Sequence, residues 1–79
     1  MGMKIEILGP ACNKCEYLYR YIQKVIVEND LDAEVRFVDR MEEILKFGVM
    51  MTPAVIIDGE TMSVGRVPSK SEIRQWLDY

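Results

Sequence analysis

Two cysteines three residues apart, Cys12-Asn13-Lys14-Cys15, stand where one apolar rhythm gives way to another. Before them, Met3 to Leu8 alternates, with Ile5 and Ile7 on one face, and Gly9-Pro10 ends the run. That pattern predicts a strand. After them, from Asn13 to about Glu28, the apolar positions are Leu18, Tyr21, Ile22, Val25 and Ile26. Their i, i+3, i+4 spacing predicts a helix, which Asn29-Asp30 ends. A cysteine pair at a strand–helix junction narrows both the fold and the chemistry.

Ala33 to Val38 reads as a second strand, with Ala33, Val35 and Phe37 alternating against Glu34 and Arg36. Asp39 is the expected N-cap of a short helix through Phe47, with Met41, Ile44 and Leu45 inward and Gly48 at C′. Ala54 to Ile57 is almost continuously apolar, as a central strand covered on both faces would be. Asp58-Gly59 predicts a two-residue hairpin turn, with Glu60 to Val64 as the returning strand. Ser69 and Glu72 form a capping-box pattern that opens a last helix, with Ile73, Trp76 and Leu77 inward. The order is β-α-β-α-β-β-α, an α/β chain. Its first β-α-β favours two parallel strands with a right-handed crossover. The later hairpin adds an antiparallel pair, so the sheet is expected to be mixed. There is no linker, repeat or low-complexity segment.

Composition excludes several function classes. At 79 residues there is room for one domain, 1–79, with a small core. The apolar fraction of 49% beside 29% charged residues is that of a globular chain. With no His, there is no Ser-His-Asp triad, no Cys-His nucleophile and no His-ligated metal. A net charge of −3 argues against a nucleic-acid partner, which favours a basic face. The apolar runs are far short of the about 20 residues that span a bilayer. Met1-Gly2-Met3-Lys4 lacks the apolar stretch of a signal peptide, and Glu6 does not fit a myristoylation site. The expected compartment is the cytoplasm, with no membrane partner. Two closely spaced cysteines there are read first for redox chemistry or metal binding.

The expected chemistry of the pair follows from its position. A helix N-terminus presents unsatisfied N–H groups and a positive dipole end, and a thiolate placed there is stabilised. Three-residue spacing on a helix puts both side chains on one face, about 5–6 Å apart at Cβ, close to disulfide range. Lys14 adds a cation beside them. Cys12, at the tip, is the expected nucleophile. Cys15, one turn deeper, is the expected resolving thiol. The same pair also admits a structural disulfide, which would add little because its loop is short. It further admits a Zn²⁺ site shared by two copies, since one C-x-x-C supplies half a ligand set, and a binding module that meets its partner through Met50, Met51 and Pro53 while the thiols sense or hold a metal.

Around these residues the sequence resembles the thioredoxin superfamily over nearly its whole length. The strand running into Cys12-Asn13-Lys14-Cys15, Thr52-Pro53 before the strand Ala54–Ile57, and Val64-Gly65 leading to Ser69-Lys70 and a final helix carry the resemblance. More narrowly, Met3-Lys4-Ile5 and Gly65-Arg66-Val67-Pro68-Ser69-Lys70 are similar to the minimal archaeal and bacterial thioredoxin-like, or glutaredoxin-like, redox-active disulfide proteins. The resemblance implies a four-stranded mixed sheet of order 2-1-3-4 flanked by three helices. It also implies dithiol–disulfide exchange, a cis peptide bond before Pro53, and substrate pairing at the backbone of Thr52. Gly65 falls in the same substrate-facing region.

The chain departs from the family's usual motifs. Ala11 stands where a Trp is customary, and Asn13-Lys14 lie between the cysteines, so neither thioredoxin nor glutathione specificity carries over. Glu6, six residues before Cys12, stands where thioredoxins place a buried Asp that assists the resolving thiol. It is a candidate proton acceptor for Cys15, and equally reads as a solvated strand residue beside Lys4. Met50 and Met51 precede Thr52-Pro53 and offer a flexible apolar rim to partner proteins, or fill the core. The function expected is disulfide reduction in proteins by a monomer whose one redox group is the Cys12–Cys15 pair. No further cofactor is expected. Electrons are expected from a separate reductase of the thioredoxin-reductase type, because no nucleotide-binding motif is present.

Overall fold

In the computed structural model, which describes residues 2–10 and 13–79, the chain runs through seven elements. They are β1 (Met3–Leu8), α1 (Asn13–Glu28), β2 (Ala33–Val38), α2 (Met41–Lys46), β3 (Ala54–Ile57), β4 (Glu60–Val64) and α3 (Lys70–Leu77). The four strands form one sheet in the order β2-β1-β3-β4. β1 pairs with β2 in parallel, from Met3 opposite Ala33 to Leu8 opposite Val38. β1 also pairs with β3 antiparallel, with Ile5 opposite Ile57 and Leu8 opposite Ala54. β3 and β4 form the expected hairpin, with an irregularity between Val55 and Ile56. Its turn residues Asp58 and Gly59 both have positive φ, 50° and 83°, as the tight two-residue turn needs. Asp58 also carries the β1–β3 pairing one residue past Ile57. Its N–H donates to the Lys4 carbonyl at 2.8 Å, and its carboxylate accepts from the Lys4 N–H at 2.8 Å.

Strand alternation splits the core between the two faces of the sheet. Ile5, Ile7, Val55 and Ile57 face α1 and α3, where Leu18, Ile22, Val25, Ile73 and Leu77 cover them. Leu8, Val38, Ala54 and Ile56 face the other way, against Ile44 and Val49. All four residues of β3 are buried, which is why its sequence shows no polar alternation. On α1, Tyr21 and Ile26 are half-buried at the margin of the first cluster, as is Trp76 of α3. Ser69 caps α3 through the full capping box with Glu72. No helix among the described residues is long and apolar enough to cross a membrane.

The short helix α2 departs from its sequence reading. Its N-cap is Arg40, not Asp39, and no side chain among the described residues caps it. Ile44 is buried at 2% exposure, but Met41 and Leu45 are 58% and 61% exposed. A helix of six residues makes less than two turns and offers the sheet one central position, which Ile44 fills. Leu45 follows it about 100° further round the axis and so leaves the interface.

Candidate functional site

The site residues gather at the end of the sheet where β1 leads to α1 and where the segment before β3 passes beside it. Cys15 lies in the first turn of α1 and is completely buried. Its Sγ is seated against the α-carbon of Gly9, the residue just beyond β1. A Cβ built on Gly9 would lie 2.5 Å from that sulfur and 3.5 Å from the Cβ of Thr52. Gly9 is itself anchored, because its N–H donates to the Val38 carbonyl at 2.9 Å and continues the β1–β2 ladder. The sulfur therefore occupies space that any larger residue at position 9 would take. Sequence reading passes over this role, because Gly9 before Pro10 has the look of simple turn punctuation.

Thr52 is half-buried and Pro53 buried, and the peptide bond between them is cis. The Pro53 carbonyl accepts a hydrogen bond from the Gly65 N–H at 2.9 Å, which ties this loop to the end of β4. Gly65 has φ of +76°, a conformation that side chains other than Gly rarely adopt. The side chain of Met51 packs on its open face, 3.2 Å from where a Cβ would stand. Thr52, Pro53, Gly65 and Met51 thus form one continuous wall beside Gly9 and Cys15. Met50 and Met51 are 92% and 62% exposed. The structure decides between their two sequence readings in favour of a surface rim, with neither in the core.

Asn13 and Lys14 open α1 and are both exposed. The expected nucleophile, Cys12, lies outside the described residues; in sequence it directly precedes Asn13. Glu6 is placed elsewhere. It is half-buried in a groove with Arg36, Glu43, Lys46 and Phe47, on the α2 side of the sheet. Cys15 belongs to α1, which packs on the opposite side. The alternation that turns Ile5 and Ile7 toward α1 turns Glu6 away, so the structure does not bring Glu6 up to Cys15.

This arrangement holds the Cys15 sulfur out of solvent at the start of a helix, with an exposed apolar rim at Met50 and Met51. A sulfur so placed is not accessible to a partner arriving from solution.

Comparison with known proteins agrees with this fold. A family model described as "Thioredoxin domain" matches residues 3–78. A protein named thioredoxin from Methanothermobacter thermautotrophicus is 37% identical over 75 residues, covering 95% of this chain and 97% of that protein. A thioredoxin from Methanocaldococcus jannaschii is 36% identical over 73 residues, covering 92% of this chain and 84% of that one. Matched from β1 through α3, and with its sheet in the order 2-1-3-4, the chain belongs to the thioredoxin family.

Proposed function

We propose that this protein reduces disulfides in other proteins through Cys12 and Cys15. The observation that carries the reading is the complete burial of Cys15 against Gly9, a glycine that Thr52 also approaches, with Met50 and Met51 exposed just before Thr52. A thiol without solvent access is poorly placed to attack a substrate and well placed to finish a reaction begun by a neighbour three residues away. Membership of the thioredoxin family supports the same redox class.

The cycle has two exchanges. The Cys12 thiolate attacks one sulfur of the substrate disulfide, forming a mixed disulfide and releasing the first substrate thiolate. The Cys15 thiolate then attacks the Cys12 sulfur, forming the Cys12–Cys15 disulfide and releasing the second. Two electrons pass to the substrate, and each released thiolate takes a proton from solvent. A separate reductase of the thioredoxin-reductase type returns two electrons to the pair, and no added cofactor takes part. The protein acts as a monomer in the cytoplasm. Lys14 and Asn13 flank the reacting sulfur in sequence, and the backbone of Thr52 lies along the bound substrate. Met50, Met51, Pro53 and Gly65 form the surface on which it rests.

Insulin turbidity with dithiothreitol tests this reading. The wild-type protein is expected to shorten the lag, and the Cys12→Ser/Cys15→Ser protein to leave it at the uncatalysed value. Equal lags for the two would overturn the proposal.

A further inference from the structure

A groove of about 520 Å³ runs along the exposed face of α1, beginning at Asn13, the residue after the nucleophilic position. Its walls carry three cations, Arg20 and Lys24 of α1 and Lys70 from the start of α3. Glu16 is the one acid among the lining residues, in a chain whose net charge is −3. Among the described residues, the ion pairs are Arg36–Glu43 and Arg66–Glu72, and none neutralises these three cations. The floor between them is aromatic. Tyr17 and Tyr21 stack with centroids 6.2 Å apart and planes 16° from parallel, and the Lys70 Nζ lies 5.6 Å from the Tyr21 ring centre.

One local rule is broken in this groove. Lys70 is the first residue of α3, where the helix dipole disfavours a cation. A local conflict of this kind is expected where function requires it, and it raises the positive potential of the groove. Along α1, Glu16, Arg20, Lys24 and Glu28 follow at i, i+4, so the one like-charge spacing lies between two opposite-charge spacings.

We infer that this groove holds an acidic segment of the polypeptide whose disulfide is reduced. The inference deepens the proposed function and rests on it. Unpaired cations recognise carboxylates, and tyrosine rings with their hydroxyls give amphipathic contact at little entropic loss. From Asn13 to Lys24 the helix rises about 17 Å. That is the reach of about five residues of extended chain. The Asp and Glu residues recognised therefore lie within about five positions of the reacting cysteine, on one side of it.

The test uses fluorescence polarisation with three labelled, cysteine-free eight-residue peptides, rich in Glu, in Gln and in Lys. The wild-type protein is expected to bind the acidic peptide at least ten-fold tighter than the neutral one, with the difference shrinking at 0.5 M salt. The Arg20→Gln/Lys24→Gln/Lys70→Gln protein is expected to lose that preference. The Arg20→Glu/Lys24→Glu/Lys70→Glu protein, with the far-UV circular dichroism of the wild type as the check that it is folded, is expected to turn it toward the Lys-rich peptide. Equal binding of the three peptides by the wild type, or a preference unmoved by either triple variant, would overturn the inference. The redox reading is checked apart from it, by reduction of the uncharged hydroxyethyl disulfide by the wild type. Failure there removes the reductase and leaves the peptide result to stand on its own.

Discussion

The Sγ of Cys15 lies where a side chain on Gly9 would have to stand, 2.5 Å from the position of a Cβ. Real Cβ atoms do not approach other atoms so closely. The Gly9→Ala protein must therefore shift either the start of α1 or the β1–α1 junction. Overpacking of this kind is expected to cost about 1–3 kcal/mol, read as a lower urea midpoint. The same shift displaces the resolving sulfur, so mixed disulfides with substrate are expected to persist longer than in the wild type. Unchanged stability and unchanged lifetime together would show that the contact is not tight.

Gly65 makes the corresponding prediction on the other wall. At φ of +76° an alanine is strained, and its Cβ would meet the side chain of Met51 at 3.2 Å. Gly65→Ala is expected to lower stability by about 1–2 kcal/mol. It is also expected to raise KM for protein substrates more than it changes kcat, because it moves the rim and not the thiols. Denaturant titration and steady-state insulin reduction check the two parts.

Ser63 carries the opposite expectation. It is buried in β4, and its Oγ has no hydrogen-bond partner among the described residues. An unsatisfied buried hydroxyl opposes folding, and removing it leaves nothing unpaired. Ser63→Ala is expected to be neutral or stabilising by up to about 1 kcal/mol. A clear loss of stability in urea titration would contradict this.

Glu72 links stability to acid. The Arg66 guanidinium donates to both its oxygens, at 2.8 and 2.7 Å, and the Ser69 N–H donates to it at 3.0 Å. The Arg66 hydrogen bonds foremost, then the Ser69 N–H, hold its carboxyl at about 2 instead of the ordinary 4.5. The folded-state value is the lower one, so the ionised group stabilises the fold fully above the ordinary value. That contribution fades as pH falls from about 4.5 toward 2. Glu72→Gln is expected to melt lower than wild type at pH 7. The gap between the two is expected to close through that acid window, as thermal melts across pH would record.

Much of this molecule is readable in its residues, and the unread parts have physical causes. Ser69 and Glu72 announce the start of α3 because a capping box is a local device that needs no tertiary partner. The four apolar residues of β3 announce a central strand, because burial on both faces leaves no room for alternation. Around α2, pattern reading fails. In six residues the 3.6-residue period has no length to declare itself, so Leu45 and Met41 are credited with burial that Ile44 alone has. At the site, the motif Cys12-Asn13-Lys14-Cys15 and Thr52-Pro53 are visible as residue types, while the seat for Cys15 is not. It is made by what Gly9 lacks, and only the approach of α1 to β1 reveals that. Glu6 shows the converse. Its face of the strand follows from alternation, but its neighbours Arg36, Glu43 and Lys46 come from elements brought there by the fold.

The central claim is the division of labour between the two cysteines. Its most direct measurement is trapping of a disulfide-bonded protein substrate, followed by mass spectrometry of the product. The Cys15→Ser protein is expected to accumulate a one-to-one mixed disulfide through Cys12. The Cys12→Ser protein, left with the buried Cys15, is expected to accumulate almost none. Efficient trapping through Cys15, or no trapping by either variant, would contradict the account.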